Sequence, residues 1–429
     1  MRLVVPLAVA GMTAWGAAAI HYAPLPGPGL SAALAFGLVV ATVLAFLLLP
    51  RRRRTLLGFL VAFAVLVLLW RHIPASNDRG WQPEVAVAPW AAVEGDLVTI
   101  HGVRNLDYRT ETDFVTRWED RTYDLRKLDS ADLVAAYWAG PAVAHVLVSF
   151  GFEGKDYVAV SIETRKERGE GYSTIAGFFR RYELVYVVAD ERDVIRVRTT
   201  YRQPREDVYV YRLRTRRENI RRAFLDYVRG MNELRARPRF YNTLTTNCTT
   251  GVLLHARVNP DAPPRSWKVL LTGYVPEYLY EIGRLDTSRP FPELTRLGHV
   301  NERAAAADRD PDFSQRIRDG IPAPPPLPEL SGLGVLQEDA SHLRDRVRVR
   351  LGGVAGPDDQ LGGDPLDVRA LVRDDAVGLA QRWARVPHGD DRVRGDAGVD
   401  GARGQRPDEA VAGAHVVDAR RQPAVGERE

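Results

Sequence analysis

Residues 143–164 read VAHVLVSFGFEGKDYVAVSIET, and this stretch decides the fold class. Val143 to Phe152 is rich in β-branched and aromatic residues, Tyr157 to Thr164 alternates, and Glu153-Gly154-Lys155-Asp156 between them has the polar, glycine-containing character of a hairpin loop. Two strands joined this way are antiparallel. A loop centred on Gly154 sets a register that places His145 opposite Glu163 on one face, because residue numbers across an antiparallel pair keep a constant sum. Further strand-like runs stand at Leu97 to Val103, Leu184 to Val188 and Val208 to Leu213, and helical patterns at Ser130 to Trp138, at Arg217 to Arg235 and after Asn247. Residues 81–328 are therefore expected to form one α+β domain, a small antiparallel sheet with helices packed against it. The proline-rich segment PAPPPLP at 322–328 closes it, since consecutive prolines forbid a helix and favour an extended linker.

Upstream the chain changes character. The first acidic residue is Asp78, and the basic residues before it are Arg2, Arg51 to Arg54 and Arg71. Leu30 to Leu49 is an uncharged run that, at about 1.5 Å per residue, reaches across a hydrocarbon core of about 30 Å. Thr55 to Trp70 is shorter, but Trp70 and Arg71 at its end can anchor at the interface. Leu3 to Ala23 is also uncharged; its texture resembles a signal peptide, yet more apolar sequence follows at once, so a retained anchor is expected. Residues 1–75 thus read as a membrane anchor of three helices. Arg51 to Arg54 mark the cytoplasmic loop, which puts everything after Arg71 on the other side of the membrane.

At the other end, residues 343–429 contain no Lys, Ile, Phe, Tyr, Asn, Thr, Ser, Met or Cys. Such a segment can bury little apolar surface to offset chain entropy. Residues 329–429 are expected to be a disordered low-complexity tail, with the composition that a GC-rich frame gives when translated out of register. No function is assigned to it.

The totals narrow the chemistry. With 59 basic against 55 acidic residues the net charge is +4, small for 429 residues, and the outward topology separates the arginines from nucleic acid, so a nucleic-acid partner is not expected. One cysteine excludes an internal disulfide and any Cys-cluster zinc or iron–sulfur centre, no His pair has metal-ligand spacing, and no cofactor is implied.

That cysteine, Cys248, lies in Asn242-Thr243-Leu244-Thr245-Thr246-Asn247-Cys248-Thr249-Thr250, just where a helix should begin. A thiol at a helix N-terminus meets the positive end of the dipole and free backbone N–H groups, which lower its pKa and can later hold an oxyanion. A buried, inert cysteine is the alternative; flanks of Asn and Thr in place of Leu and Val favour the nucleophile. Among the candidate bases His101, His145, His255 and His299, the first choice is His145, whose strand position brings Glu163 beside the imidazole as an orienting third group. His255 lies two turns beyond Cys248, roughly 10 Å along the axis and too far for a direct hydrogen bond. Two readings stand for Ile175 to Phe179 followed by Arg180 and Arg181: a dip into the bilayer surface, or a buried turn followed by a solvated pair, the second being preferred.

Several motifs then occur in order: Gly102-Val103-Arg104-Asn105 with Asp107-Tyr108, Tyr123-Asp124-Leu125, Ala144-His145 with Ser149-Phe150-Gly151-Phe152, Ser161 to Glu167, Phe178-Phe179-Arg180, Asp190 to Asp193, and Asn247 to Thr250. With these the segment from about Trp81 to Pro260 resembles the Lnb N-terminal periplasmic domain family of bacterial envelope proteins. The resemblance implies a thiol-dependent domain of the papain-like, permuted NlpC type, with His before Cys in the chain as in the lecithin:retinol acyltransferases. It implies Cys248 as nucleophile, His145 as base and Glu163 as third member, although Glu163 beside Arg165 also reads as a structural salt bridge. Asn247, Arg165 and Thr249 would be supporting polar residues.

The expected function on this resemblance is acyl transfer from a membrane phospholipid, through a Cys thioester, to the N-terminal amine of a bacterial lipoprotein. The expected location is the inner membrane, multi-pass, with the catalytic domain on the periplasmic side. A cysteine peptidase or amidase of the NlpC type, or a non-enzymatic envelope scaffold, are the alternatives. The acyl chain and the oligomeric state are not legible.

Overall fold

The computed structural model describes residues 4–24, 28–325 and 327; the tail expected at 329–429 and part of the PAPPPLP segment lie outside the described residues. The chain opens with three helices, α1 (Val4–His21), α2 (Pro28–Leu48) and α3 (Arg52–Arg71), each long and apolar enough to cross a membrane. The C-terminal ends of α1 and α3 lie on one side. There Trp15 meets Trp70 edge to face at 5.2 Å, and Arg52 to Arg54 open α3 at its opposite end.

Ten strands follow: β1 (Trp90–Glu94), β2 (Leu97–Arg104), β3 (Asp107–Tyr108), β4 (Phe114–Val115), β5 (Trp118–Asp124), β6 (Leu128–Tyr137), β7 (Ala144–Phe152), β8 (Asp156–Arg165), β9 (Glu183–Ala189) and β10 (Asp207–Arg212). The helices beyond α3 are α4 (Glu191–Val194), α5 (Arg217–Ala236), α6 (Cys248–Ala256), α7 (Val275–Glu281), α8 (Phe291–Gly298), α9 (Asn301–Ala306) and α10 (Phe313–Arg316). Seven strands run in the order β1-β2-β9-β8-β7-β6-β10 with β5 on β2, and β3 pairs only with β4. The α+β class is as expected, but the sheet is larger than expected. It also holds one parallel junction, Arg104 opposite Ala189, among antiparallel pairings.

Strand β6 replaces an expected helix. Ser130 to Trp138 reads as helix because Ala and Leu dominate it, yet it pairs with β7 on one side and β10 on the other and is buried on both faces. A strand covered on both faces needs no alternation, so helix-forming residues serve there equally well. The hairpin holds: Phe152 pairs with Asp156 and Val148 with Val160, the constant sum that was anticipated.

Helices cover both faces of the sheet. On one, Val148, Phe150, Val158, Val160 and Ile162 pack under Ile220, Phe224, Tyr227, Val228 and Met231, the three-to-four-residue stripe of α5. On the other, Val134, Leu147, Ala159 and Val187 meet Val194, Val300, Phe313 and Ile317 from the segments around α4, α9 and α10. The turn that starts β7 is tied down from a distance. Ala144 N–H donates to Thr272 Oγ1 at 2.9 Å, Gly273 N–H donates to Ala142 O, and a Cβ on Gly273 would lie 2.1 Å from Pro141 O.

A methyl group there must push backbone away. Gly273→Ala should cost about 1–3 kcal/mol by overpacking, whereas Gly171→Ala, with open space around it, should change nothing; thermal unfolding of the two variants checks both.

Candidate active site

The β7–β8 ladder stops early. Both strands continue past their last pair, Val148 with Val160, as far as Ala144 and Arg165. Side chains and a helix end occupy the parting. His145 Nε2 lies 2.6 Å from Ser161 Oγ and 3.2 Å from Glu163 Oε1, and Ser161 Oγ donates to Glu163 Oε1 at 2.8 Å. Arg198, buried after α4, donates from Nη2 to the same carboxylate oxygen at 2.9 Å.

Alternation explains the grouping: Ser161 and Glu163 are two apart on β8 and share a face, and the hairpin register brings His145 onto it. With Nε2 engaged there, Nδ1 is the imidazole nitrogen left for the thiol.

Cys248 is the first residue of α6, and the sequence builds this start with a capping box. Asn247 Oδ1 accepts from Thr250 N–H at 2.9 Å, while Thr250 Oγ1 accepts from Asn247 N–H at 2.8 Å. Asn247 Nδ2 also donates to Thr243 O at 2.7 Å, fixing the approaching loop. The helix lies close on β8 because residue 251 is glycine: a Cβ there would fall 2.2 Å from Ile162 Cδ1.

Cys248 is 8% exposed. Burial alone would raise its pKa, but His145, the Val146 N–H and the Thr249 hydroxyl, with Oγ1 at 3.8 Å, together bring it below the ordinary thiol value. Burial likewise opposes charge on His145, yet Glu163 and Cys248 hold it up at about 9. Glu163, against its own burial, is kept well below the usual carboxylate range by His145, Arg198 and Ser161. At neutral pH the imidazolium and the carboxylate are charged, with Arg198 as counter-charge, and the thiol ionises more readily than an ordinary one.

The expected site residues are therefore brought together in part. Cys248, His145 and Glu163 meet, and Asn247 and Thr249 support the nucleophile. Arg165 does not join them. Its guanidinium reaches Val85 O, Ala86 O and Asn77 Oδ1 at 2.8 to 3.1 Å and lies 4.3 Å from the Trp81 ring centre, so it clamps residues 77–86 to the end of β8. The other histidines are engaged elsewhere: His101 with Asp120 at 2.7 Å, His255 with Asp226 at 2.8 Å and Tyr186 at 2.7 Å, and His299 with Asp207 at 3.4 Å.

Sequence reasoning missed Ser161, Arg198 and the Val146 N–H. Ser161 was within reach, two residues before Glu163 on an alternating strand; Arg198 sits in a short irregular helical turn with no periodic cue. Beside the site lies an apolar cavity of about 120 Å³, lined by Val146, Val148, Phe150, Thr249, Val252 and Leu253 among others.

The fold thus brings one cysteine, one histidine and one glutamate together on a mixed sheet. Residues 114–273 match the family model described as the Lnb N-terminal periplasmic domain, the family that the motifs resemble, and they contain Cys248, His145 and Glu163. The match, with three helices long and apolar enough to cross a membrane, fits a membrane protein with a periplasmic domain. Comparison with curated proteins and with solved structures gave no match.

Iodoacetamide alkylation of Cys248 should proceed well on the acid side of the ordinary thiol range, and His145→Ala, which removes the largest influence opposing burial, should slow it at pH 7 by about tenfold or more. Linkage gives a second test. A histidine raised from 6.5 to about 9 contributes stability that is complete below 6.5 and is lost as pH rises through 9. The stability gap between the wild type and His145→Ala, followed by thermal unfolding from pH 6 to 10, should therefore close on the alkaline side.

Proposed function

We propose that the protein is a membrane-anchored cysteine acyltransferase that moves an acyl chain from a phospholipid to the N-terminal amine of a bacterial lipoprotein, on a papain-like domain of the permuted NlpC type. The observation that carries this reading is the Cys248–His145–Glu163 set at the start of α6.

In the first half-reaction the Cys248 thiolate attacks the ester carbonyl of a glycerophospholipid. The C–O bond breaks, the leaving alkoxide takes the proton from His145, and a lysophospholipid departs, leaving a thioester. The tetrahedral oxyanion is received by the N–H groups of Cys248 and Thr249, which open α6 and by helix geometry have no intrahelical carbonyl partner. In the second half, the free α-amine of a diacylglyceryl-cysteine attacks the thioester. His145 takes its proton, the C–S bond breaks, and the amide leaves with the thiolate restored.

Glu163 holds the imidazolium in orientation through Nε2, and Arg198 keeps that carboxylate ionised without touching the thiol. The apolar cavity beside Val146 and Thr249 favours an acyl chain over a peptide, for which a polar, hydrated cleft would be needed. Insertion in the inner membrane by three spans, with the domain in the periplasm, belongs to the same reading and places the thiol where both substrates lie.

The test uses the purified full chain with a phospholipid carrying a deuterated acyl chain and a diacylglyceryl-cysteinyl peptide. Mass spectrometry should find the label as a thioester on Cys248 and then as an amide on the peptide, and neither in Cys248→Ala or His145→Ala. Label released only as free fatty acid, or a cleaved peptide, would replace the transferase reading with a hydrolase.

A further inference from the structure

The loop carrying Ile175 to Arg181 divides between the two sequence readings. Phe179 is buried against the anchor, its ring 6.0 Å from that of Trp15 and 5.7 Å from that of Tyr22. Arg180 is half-buried and engaged: its guanidinium lies 4.7 Å from the Trp70 ring centre and donates to Arg71 O at 2.8 Å and Ile73 O at 3.2 Å, satisfying carbonyls at the end of α3. Arg181 pairs with Glu170 at 2.7 Å.

In the same loop, Ile175 is 59% and Phe178 40% exposed, and Leu244, on the neighbouring segment, is 42% exposed. Trp15 lies six residues before His21, which places it about 9 Å along α1 from that end. Phe179 thus packs along the last turns of α1, between Trp15 and Tyr22.

We infer that Ile175, Phe178 and Leu244 form an apolar rim inserted in the lipid leaflet beside the outer ends of α1 and α3. The occupant is the bilayer itself, because the rim is continuous with contacts to helices built to span it. The rim is wired to the nucleophile. Thr243 N–H donates to Gly177 O at 3.3 Å and Thr243 Oγ1 donates to Thr174 O at 2.8 Å, while Thr243 O accepts from Asn247, the cap of the helix that Cys248 opens. A lipid leaving the leaflet at this rim departs beside the loop that leads into the Cys248 helix. That last step rests on the acyl-transfer reading; the insertion rests on the geometry alone.

The single cysteine makes the test direct. In a Cys248→Ala background, Ile175→Cys, Phe178→Cys and Leu244→Cys are each labelled with the environment-sensitive fluorophore NBD, and the full chain is placed in nanodiscs of phosphatidylcholine and phosphatidylglycerol. Lys155→Cys, at the tip of the β7–β8 hairpin, is the aqueous control.

At the three rim positions we expect blue-shifted emission, shielding from iodide, and quenching by lipids with a doxyl group high on the chain. Iodide quenching equal to that at residue 155 would overturn the inference. So would a blue shift with no doxyl quenching, which would mean that protein covers the rim. Because the nucleophile is absent throughout, the outcome does not depend on whether the wild type transfers an acyl chain.

Discussion

Everything at the candidate site follows from one interruption: β7 and β8 part beyond Val148 and Val160 while each remains held by its outer neighbour. A continued ladder would use the Val146 N–H on β8 and close the passage between the two faces of the sheet. The parting leaves that N–H for the Cys248 sulfur and gives the imidazole, which belongs to one face, access to a thiol delivered from the other. What keeps the strands apart is charge as well as geometry. A carboxylate, an imidazolium and a guanidinium in a half-buried cluster are stable only as a set, since removing one leaves another uncompensated.

The hairpin, the helix start at Cys248 and the pairing of His145 with Glu163 were all legible in the sequence, because each depends on local rules: strand alternation, a polar loop, a cap preceding a helix. The strand at 128–137 was not, because its position in the middle of the sheet, buried on both faces, overrides the helical preference of its Ala and Leu residues. Arg165 and Arg198 look alike in the sequence. Which of the two faces the carboxylate is set by where their segments pack: residues 77–86 wrap over the end of β8 and take up Arg165, while the turn after α4 carries Arg198 inward. Arginine partners chosen by tertiary packing leave no periodic signal.

The same holds for the loop at 175–181. Its composition favoured a buried turn over a membrane dip, and the structure divides the residues between roles: Phe179 and Arg180 hold the anchor while Ile175 and Phe178 stay uncovered. Neighbours in sequence separate here because the loop is a tight turn. Residues 176–178 form a single helical turn and Arg180 has a left-handed backbone, φ 56°, which reverses the chain.

Two attachments between anchor and domain have a kinematic consequence. A domain joined to the anchor only through the end of α3 would swivel about that joint and present any face to the lipid. Phe179 against α1 supplies a second point of support, and two points reduce a free swivel to rotation about the line that joins them. The thiol's orientation relative to the anchor helices is thereby restricted, and under the proposed reaction an encounter with a lipid would be a search in two dimensions, at the surface density of the leaflet and not at the small concentration of free lipid in water.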